Sequence, residues 1–156
     1  MTSRIFIGVI SDTHGLLRPE AIETLRGSEH IIHAGDVGAP EILDALKAIA
    51  PVTAVRGNID KAAWARKLPE EEVVELGGTT IYVVHDLAAL DLKPEAAGFN
   101  VVIFGHSHKP TQEKRGNVLY FNPGSAGPRR FKLPVSVGKL IVDAKDIRGE
   151  IIRICD

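Results

Sequence analysis

Two aspartates, one asparagine and four histidines stand where short apolar runs end. Asp12 and His14 follow Ile5–Ile10, Asp36 follows Ile31–Ile32, and Asn58 follows Val52–Val55. His85 follows Ile81–Val84, and His106 and His108 follow Val101–Phe104. Such runs read as strands, and strand ends in α/β proteins meet at one edge of a sheet. Groups scattered between residues 12 and 108 can therefore converge on one spot. Imidazole and carboxylate together suit Mn, Fe, Co, Ni or Zn. The absence of cysteine from the set argues against a closed structural zinc site. What remains is the donor set of a two-metal hydrolytic centre, in which ions roughly 3.5–4 Å apart share a hydroxide and clamp a phosphoryl group. Two carboxylates and one hydroxide leave two divalent ions with a net positive charge, and neutral Asn58 in place of a third aspartate keeps it so. A positive core suits an anionic phosphate ester. Gly15, Gly35, Gly57 and Gly105 flank these residues and allow tight turns and close backbone approach.

The elements that must position these groups fall into two rhythms. The first third alternates strand and helix, with strands at 4–10, 30–33 and 52–56. Pro19 opens a helix that Gly27 stops. Pro40 opens a second, with Ile42, Leu43, Leu46 and Ile49 at helical spacing and Pro51 closing it. A short helix fits 61–67, with Trp64 as a core or interface residue. This alternation implies a parallel sheet with right-handed crossovers. After about residue 70 the chain becomes strand-rich. Val73–Leu76 and Thr80–His85 read as a hairpin, a helix over 88–97 is interrupted by Pro94, and strands follow at 101–104, 118–121, 135–142 and 147–154. The Pro/Gly-rich stretch Pro123–Pro134 reads as a long loop, and loops of that length are often functional.

Length and composition set the class. At 156 residues the chain is expected to be one domain spanning 1–156, with 44% apolar and 25% charged residues. A net charge of −1 excludes a bulk electrostatic nucleic-acid binder. The single cysteine, Cys155, excludes a disulfide framework and fits a reducing cytosol. No stretch reaches membrane length or makes a signal peptide, so the expected location is the cytoplasm. The expected self-association is a homodimer or a higher homo-oligomer.

Several residues carry two readings. Asp12 lies too far before Pro19 to cap that helix, and Pro40 places the next helix start beyond Asp36. Asn58 alone would read as a turn residue and His85 alone as a structural histidine; their company makes them ligands. Asp60 either orients the site or caps the helix at 61–67. Arg129 and Arg130 either meet substrate phosphate with guanidinium forks or form a solvated basic pair. His30 reads as exposed.

The order of these residues carries a resemblance. Asp12-Thr13-His14, Gly35-Asp36, Gly57-Asn58, His85 and Gly105-His106-Ser107-His108, followed by Asn122-Pro123-Gly124-Ser125, match a known series. The chain resembles the calcineurin-like metallophosphoesterases, and most closely their small single-domain YfcE-like phosphodiesterase branch. The resemblance implies an α/β fold, a four-layer αββα sandwich of two mixed β-sheets flanked by helices. It implies one metal held by Asp12, His14, Asp36 and His108 and a second by Asp36, Asn58, His85 and His106, with Asp36 bridging. It also implies in-line attack by a metal-bridging hydroxide on a small phosphate ester, with manganese the first expected metal and Fe, Zn, Ni or Co the others. His33 falls in the pattern H-x-G-D, where it supports the ligands without joining them. The alternative is a catalytically weak scaffold of the same fold that binds protein partners; filled ligand positions count against it. Two positions depart from the pattern. Ile59 stands where larger relatives carry a proton-donating histidine, and Asp86 stands where glycine is frequent.

Overall fold

The computed structural model of the chain describes residues 4–144 and 146–155. Its strands are β1 (Arg4–Ile10), β2 (His30–His33), β3 (Val52–Ala54), β4 (Glu71–Leu76), β5 (Thr79–Val84), β6 (Val101–Ile103), β7 (Thr111–Arg115), β8 (Val118–Asn122), β9 (Val135–Asp143) and β10 (Asp146–Cys155). Its α-helices are α1 (Pro19–Leu25), α2 (Pro40–Lys47) and α3 (Pro94–Ala97). The strands form two mixed five-stranded sheets, in the orders β10-β9-β1-β2-β3 and β4-β5-β6-β8-β7. β1, β2 and β3 run parallel in the first sheet, and β5, β6 and β8 run parallel in the second.

Side chains alternate across each strand, so one sequence supplies two buried faces. Ile7, Val9, Ile32, Ala34 and Val55 turn toward the other sheet and meet Ile81, Val83, Val101, Ile103, Leu119 and Phe121. On the outer face of the first sheet, Ile10 and Ile31 pack against Ala21 and Leu25 of α1 and Ile42, Leu43 and Leu46 of α2. On the outer face of the second, Tyr82, Val84, Val102 and Tyr120 pack under Leu87, Leu90, Leu92 and Phe99. The expected αββα layering is present. The fourth layer is thin, made of a 3-10 turn at Leu87–Ala89, the single-turn α3 and the segments beside them.

The structure corrects four sequence expectations. The helix over 88–97 is instead the 3-10 turn and α3. Pro94 sits at the first position of α3, where its missing N–H is harmless, because within a helix its ring would clash with the preceding turn. The helix at 61–67 is a 3-10 helix, Ala63–Lys67. β7 was not expected at all: its sequence, Thr-Gln-Glu-Lys-Arg, is polar on both faces because it is a solvent-facing edge strand. His30 is half-buried rather than exposed, with Nε2 2.7 Å from Thr53 Oγ1 on neighbouring β3.

Candidate metal centre

All the candidate ligands lie in loops that leave the C-terminal ends of parallel strands. β1 runs into Asp12 and His14, β2 into Asp36, β3 into Asn58, β5 into His85, and β6 into His106 and His108. The ladder continues past the strands. Ala34 N–H donates to Ile10 O at 3.0 Å, Asp12 N–H to Gly35 O at 3.0 Å, and His14 N–H to Asp36 O at 2.9 Å. Asp12, His14, Asp36, His106 and His108 have φ of 56°, 48°, 57°, 73° and 62°. Left-handed backbone is uncommon outside glycine. Five such residues along one edge are strain that only a well-determined surrounding can hold, and such strain gathers at functional sites. Neither aspartate caps a helix: α1 and α2 start after Arg18 and Ala39 without a side-chain cap.

The side chains converge. Asp36 Oδ2 lies 3.2 Å from His85 Nε2 and 3.5 Å from His14 Nε2. Asp12 Oδ1 lies 3.4 Å from His108 Nε2 and 3.8 Å from Nε2 of both His14 and His85. The second oxygen of each carboxylate is held elsewhere. Asp12 Oδ2 accepts from Ser11 Oγ at 2.8 Å and from His106 N–H at 3.2 Å, and Asp36 Oδ1 accepts from Ile59 N–H at 3.0 Å. His85 Nδ1 donates to Ala34 O at 2.7 Å, which aims Nε2 at Asp36. The Asn58 amide oxygen is 3.1 Å from His85 Nε2, and the amide faces both Asp36 oxygens. Asp12 Oδ1 and His14 Nε2 are buried with no hydrogen-bond partner. Lone pairs aimed at one another without a donor between them are what a cation requires. Asp12, His14 and His108 form one group that could hold an ion; Asp12, Asp36 and His85 form another.

Electrostatics follow the same geometry. Burial alone would lower the His85 pKa, yet hydrogen bonding to Asp36 and the Asp12 charge hold it above its ordinary value. Burial would raise Asp36, but His85 and the Ile59 N–H bring it below the usual carboxylate value. Burial lowers the His108 pKa, and the positive charge of Arg130 opposes Asp12 there.

His106 stands apart from the cluster. Its side chain is 47% exposed and its Nε2 is 3.9 Å from Asp86 Oδ2. Its ring meets that of His85 edge-on at 5.3 Å. Asp86 accepts from Ala88 N–H at 3.0 Å, capping the 3-10 turn. Arg129 and Arg130 are exposed in the β8–β9 loop.

A second set of residues holds the loops. Asp60, nearly fully buried, accepts from the N–H groups of Val37, Gly38 and Gly57 at 3.1, 3.0 and 2.9 Å. It ties the Asp36 loop to the Asn58 loop and does not cap the 3-10 helix, which starts after Ala62. His33 is fully buried, and burial pushes its pKa down to about 4. Its Nδ1 accepts from Gly35 N–H at 3.1 Å, so the proton is on Nε2, 3.0 Å from Thr13 Oγ1, which donates on to Val37 O at 2.8 Å. Gly57 must be glycine, because a Cβ there would overlap Asp36. Sequence reasoning assigned no role to Ser11, Thr13 or Asn122. Asn122 donates to Gly105 O at 3.1 Å and to Ser107 Oγ at 3.3 Å, holding the His106–His108 loop, while Ser125 Oγ donates to Asp12 O at 3.0 Å. For Thr13 the only available signal was its place between two ligands.

Comparison with known proteins adds to this geometry. Residues 5–146 match the calcineurin-like phosphoesterase superfamily domain. A probable metallophosphoesterase of Methanocaldococcus jannaschii is 38% identical over 154 residues, covering 90% of this chain and 78% of the relative. Phosphodiesterase YfcE of Escherichia coli is 28% identical over 167 residues, 88% of each chain. A solved structure described as a novel archaeal phosphodiesterase superposes with a TM-score of 0.79 at 26% identity, covering 95% of this chain and all (100%) of the other. Vacuolar protein sorting 29 from Cryptosporidium parvum superposes at 0.78 with 18% identity, over 98% of this chain and 99% of the other, a likeness of fold alone.

Proposed function

The chain belongs to the calcineurin-like phosphoesterase superfamily, and from that premise we propose that it is a metal-dependent phosphodiesterase. The observation that carries this reading is the convergence of side-chain oxygens and ring nitrogens from Asp12, His14, Asp36, His85 and His108, with Asp12 Oδ1 and His14 Nε2 buried and without a hydrogen-bond partner. Asp12, His14, Asp36 and His108 would hold one divalent ion, and Asp36, Asn58, His85 and His106 the other. Manganese is the first candidate; Fe, Zn, Ni and Co suit the same donors. Bound there, the ions supply Lewis acidity and a hydroxide nucleophile at neutral pH.

The protein's own groups do the rest. Asp36, whose Oδ2 lies between His14 and His85, would be shared by the two ions, and Ile59 N–H holds the carboxylate by its other oxygen. Ala34 O takes the Nδ1 proton of His85, so that Nε2 would offer its lone pair to an ion. Arg129 and Arg130 would meet phosphate oxygens from the β8–β9 loop. The fold alone is also compatible with a catalytically silent scaffold, given the likeness to vacuolar protein sorting 29. The filled ligand set favours the enzyme.

Purified protein loaded with Mn²⁺ is expected to hydrolyse bis(p-nitrophenyl) phosphate, and chelation to stop it. Asp36→Asn removes a charge shared by both ions and should lower kcat by more than the roughly 10–100-fold that loss of a group merely orienting a ligand costs. Activity that survives this substitution rules out the mechanism.

A further inference from the structure

Among the described residues, five large apolar side chains are exposed, and three of them, Leu16, Ile59 and Phe131, lie in loops at the metal edge. Leu16 follows His14 by two residues, and its N–H is held by Thr13 O at 2.9 Å. Ile59 follows Asn58 and donates its N–H to Asp36. Phe131 is 94% exposed and has φ of 51°. The loop that carries it is pinned to the Asp12 loop: Ala126 N–H donates to Ser11 O at 3.0 Å, Ser125 Oγ to Asp12 O at 3.0 Å, and Arg18 to Gly127 O at 3.2 Å. A turn closed by Leu133 N–H on Arg130 O at 3.0 Å brackets Phe131. A bulky side chain in left-handed backbone, with its ring in water, has strain and no packing to offset it. Such outliers point to function. Arg129, Arg130 and Lys132 flank it, and the Arg130 charge is felt at His108.

We propose that Leu16, Ile59 and Phe131 form an apolar rim that selects phosphodiesters bearing aromatic substituents. This rests on the phosphodiesterase reading and names its substrate class. Two arguments meet. An aryl ring gains apolar contact and offset stacking on Phe131, which an alkyl ester cannot match. Ile59 also has no proton to give where a donor would stand. In the displacement, the hydroxide oxygen forms the new P–O bond and the P–O(aryl) bond breaks. The aryl oxide leaves with the bonding pair and takes its proton from solvent. A phenolate carries that charge far better than an alkoxide does.

Steady-state kinetics of the manganese-loaded chain on bis(p-nitrophenyl) phosphate and methyl p-nitrophenyl phosphate test the rim. Both expel the same phenolate, so the leaving group is constant; the second ring's electron withdrawal acts on kcat, and KM reads its contact with the rim. The wild type should show a KM at least about 5-fold lower for the diaryl ester. Phe131→Ala should raise that KM about 3- to 10-fold with kcat within 2-fold, and shift the methyl ester less; Phe131→Trp should restore the preference. Equal KM values in the wild type, or a variant that shifts both esters alike, overturn the rim. Hydrolysis of neither ester overturns the phosphodiesterase reading instead. In that event calorimetric binding of diphenyl against dimethyl phosphate still reads the rim, and equal affinity refutes it.

Discussion

Asp60 shows how one buried carboxylate can organise a site without touching its contents. Its two oxygens take three backbone N–H groups from the loops that carry Asp36 and Asn58. Asp60→Ala would leave those donors buried and unpaired, at roughly 1–3 kcal/mol for each. Urea denaturation should show that loss, and metal affinity should fall with it; unchanged stability would mean the loops hold themselves. His33 makes a pH prediction. Its pKa is about 4 in the fold against 6.5 for the ordinary side chain, so the unfolded chain binds the extra proton first. The stability His33 contributes is full above about pH 6.5 and is lost as pH falls toward 4, up to roughly 3 kcal/mol. His33→Gln should narrow its stability gap to the wild type on acidification, and a gap constant from pH 7 to 4.5 would contradict the assignment. The candidate ligands were legible in the sequence, because each follows an apolar run. The roles of Ser11, Thr13 and Asn122 were not, because hydrogen bonds such as Asn122 to Gly105 O join residues that only the finished fold brings together.

At the scale of elements, the site depends on two sheets packed face to face, and Phe121 locks them. It is fully buried on β8 of the second sheet, and its ring lies where a Cβ at Gly138 of β9 or Gly149 of β10 would fall. Truncation to alanine would leave a cavity that glycines cannot fill, costing about 3–5 kcal/mol. Chemical denaturation should report that loss, and a change below about 1 kcal/mol would mean the sheets repack. Strands with a buried face, such as Ile5–Ile10 and Val101–Ile103, could be read from β-branched runs. β7 could not, since Thr111–Arg115 has no apolar face to betray it. The helix expected over 88–97 failed at Pro94, which starts a helix more readily than it continues one.

Across the whole molecule, parallel strands of both sheets end at one edge, and the left-handed residues of the candidate site gather there. No helix among the described residues is long and apolar enough to cross a membrane. The parallel sheet was legible from strand–helix alternation in the first third, while the four-layer sandwich followed only from the family resemblance. The thin outer layer on the second sheet was not legible, because a 3-10 turn and a one-turn helix carry too few residues to show a period. The central claim is that this edge holds two ions joined through Asp36. Electron paramagnetic resonance of the protein titrated with Mn²⁺ tests it most directly. Two equivalents should bind and give the multiline spectrum of an exchange-coupled pair, absent in Asp36→Asn. Saturation at one equivalent, or two ions with uncoupled six-line spectra, would contradict the account.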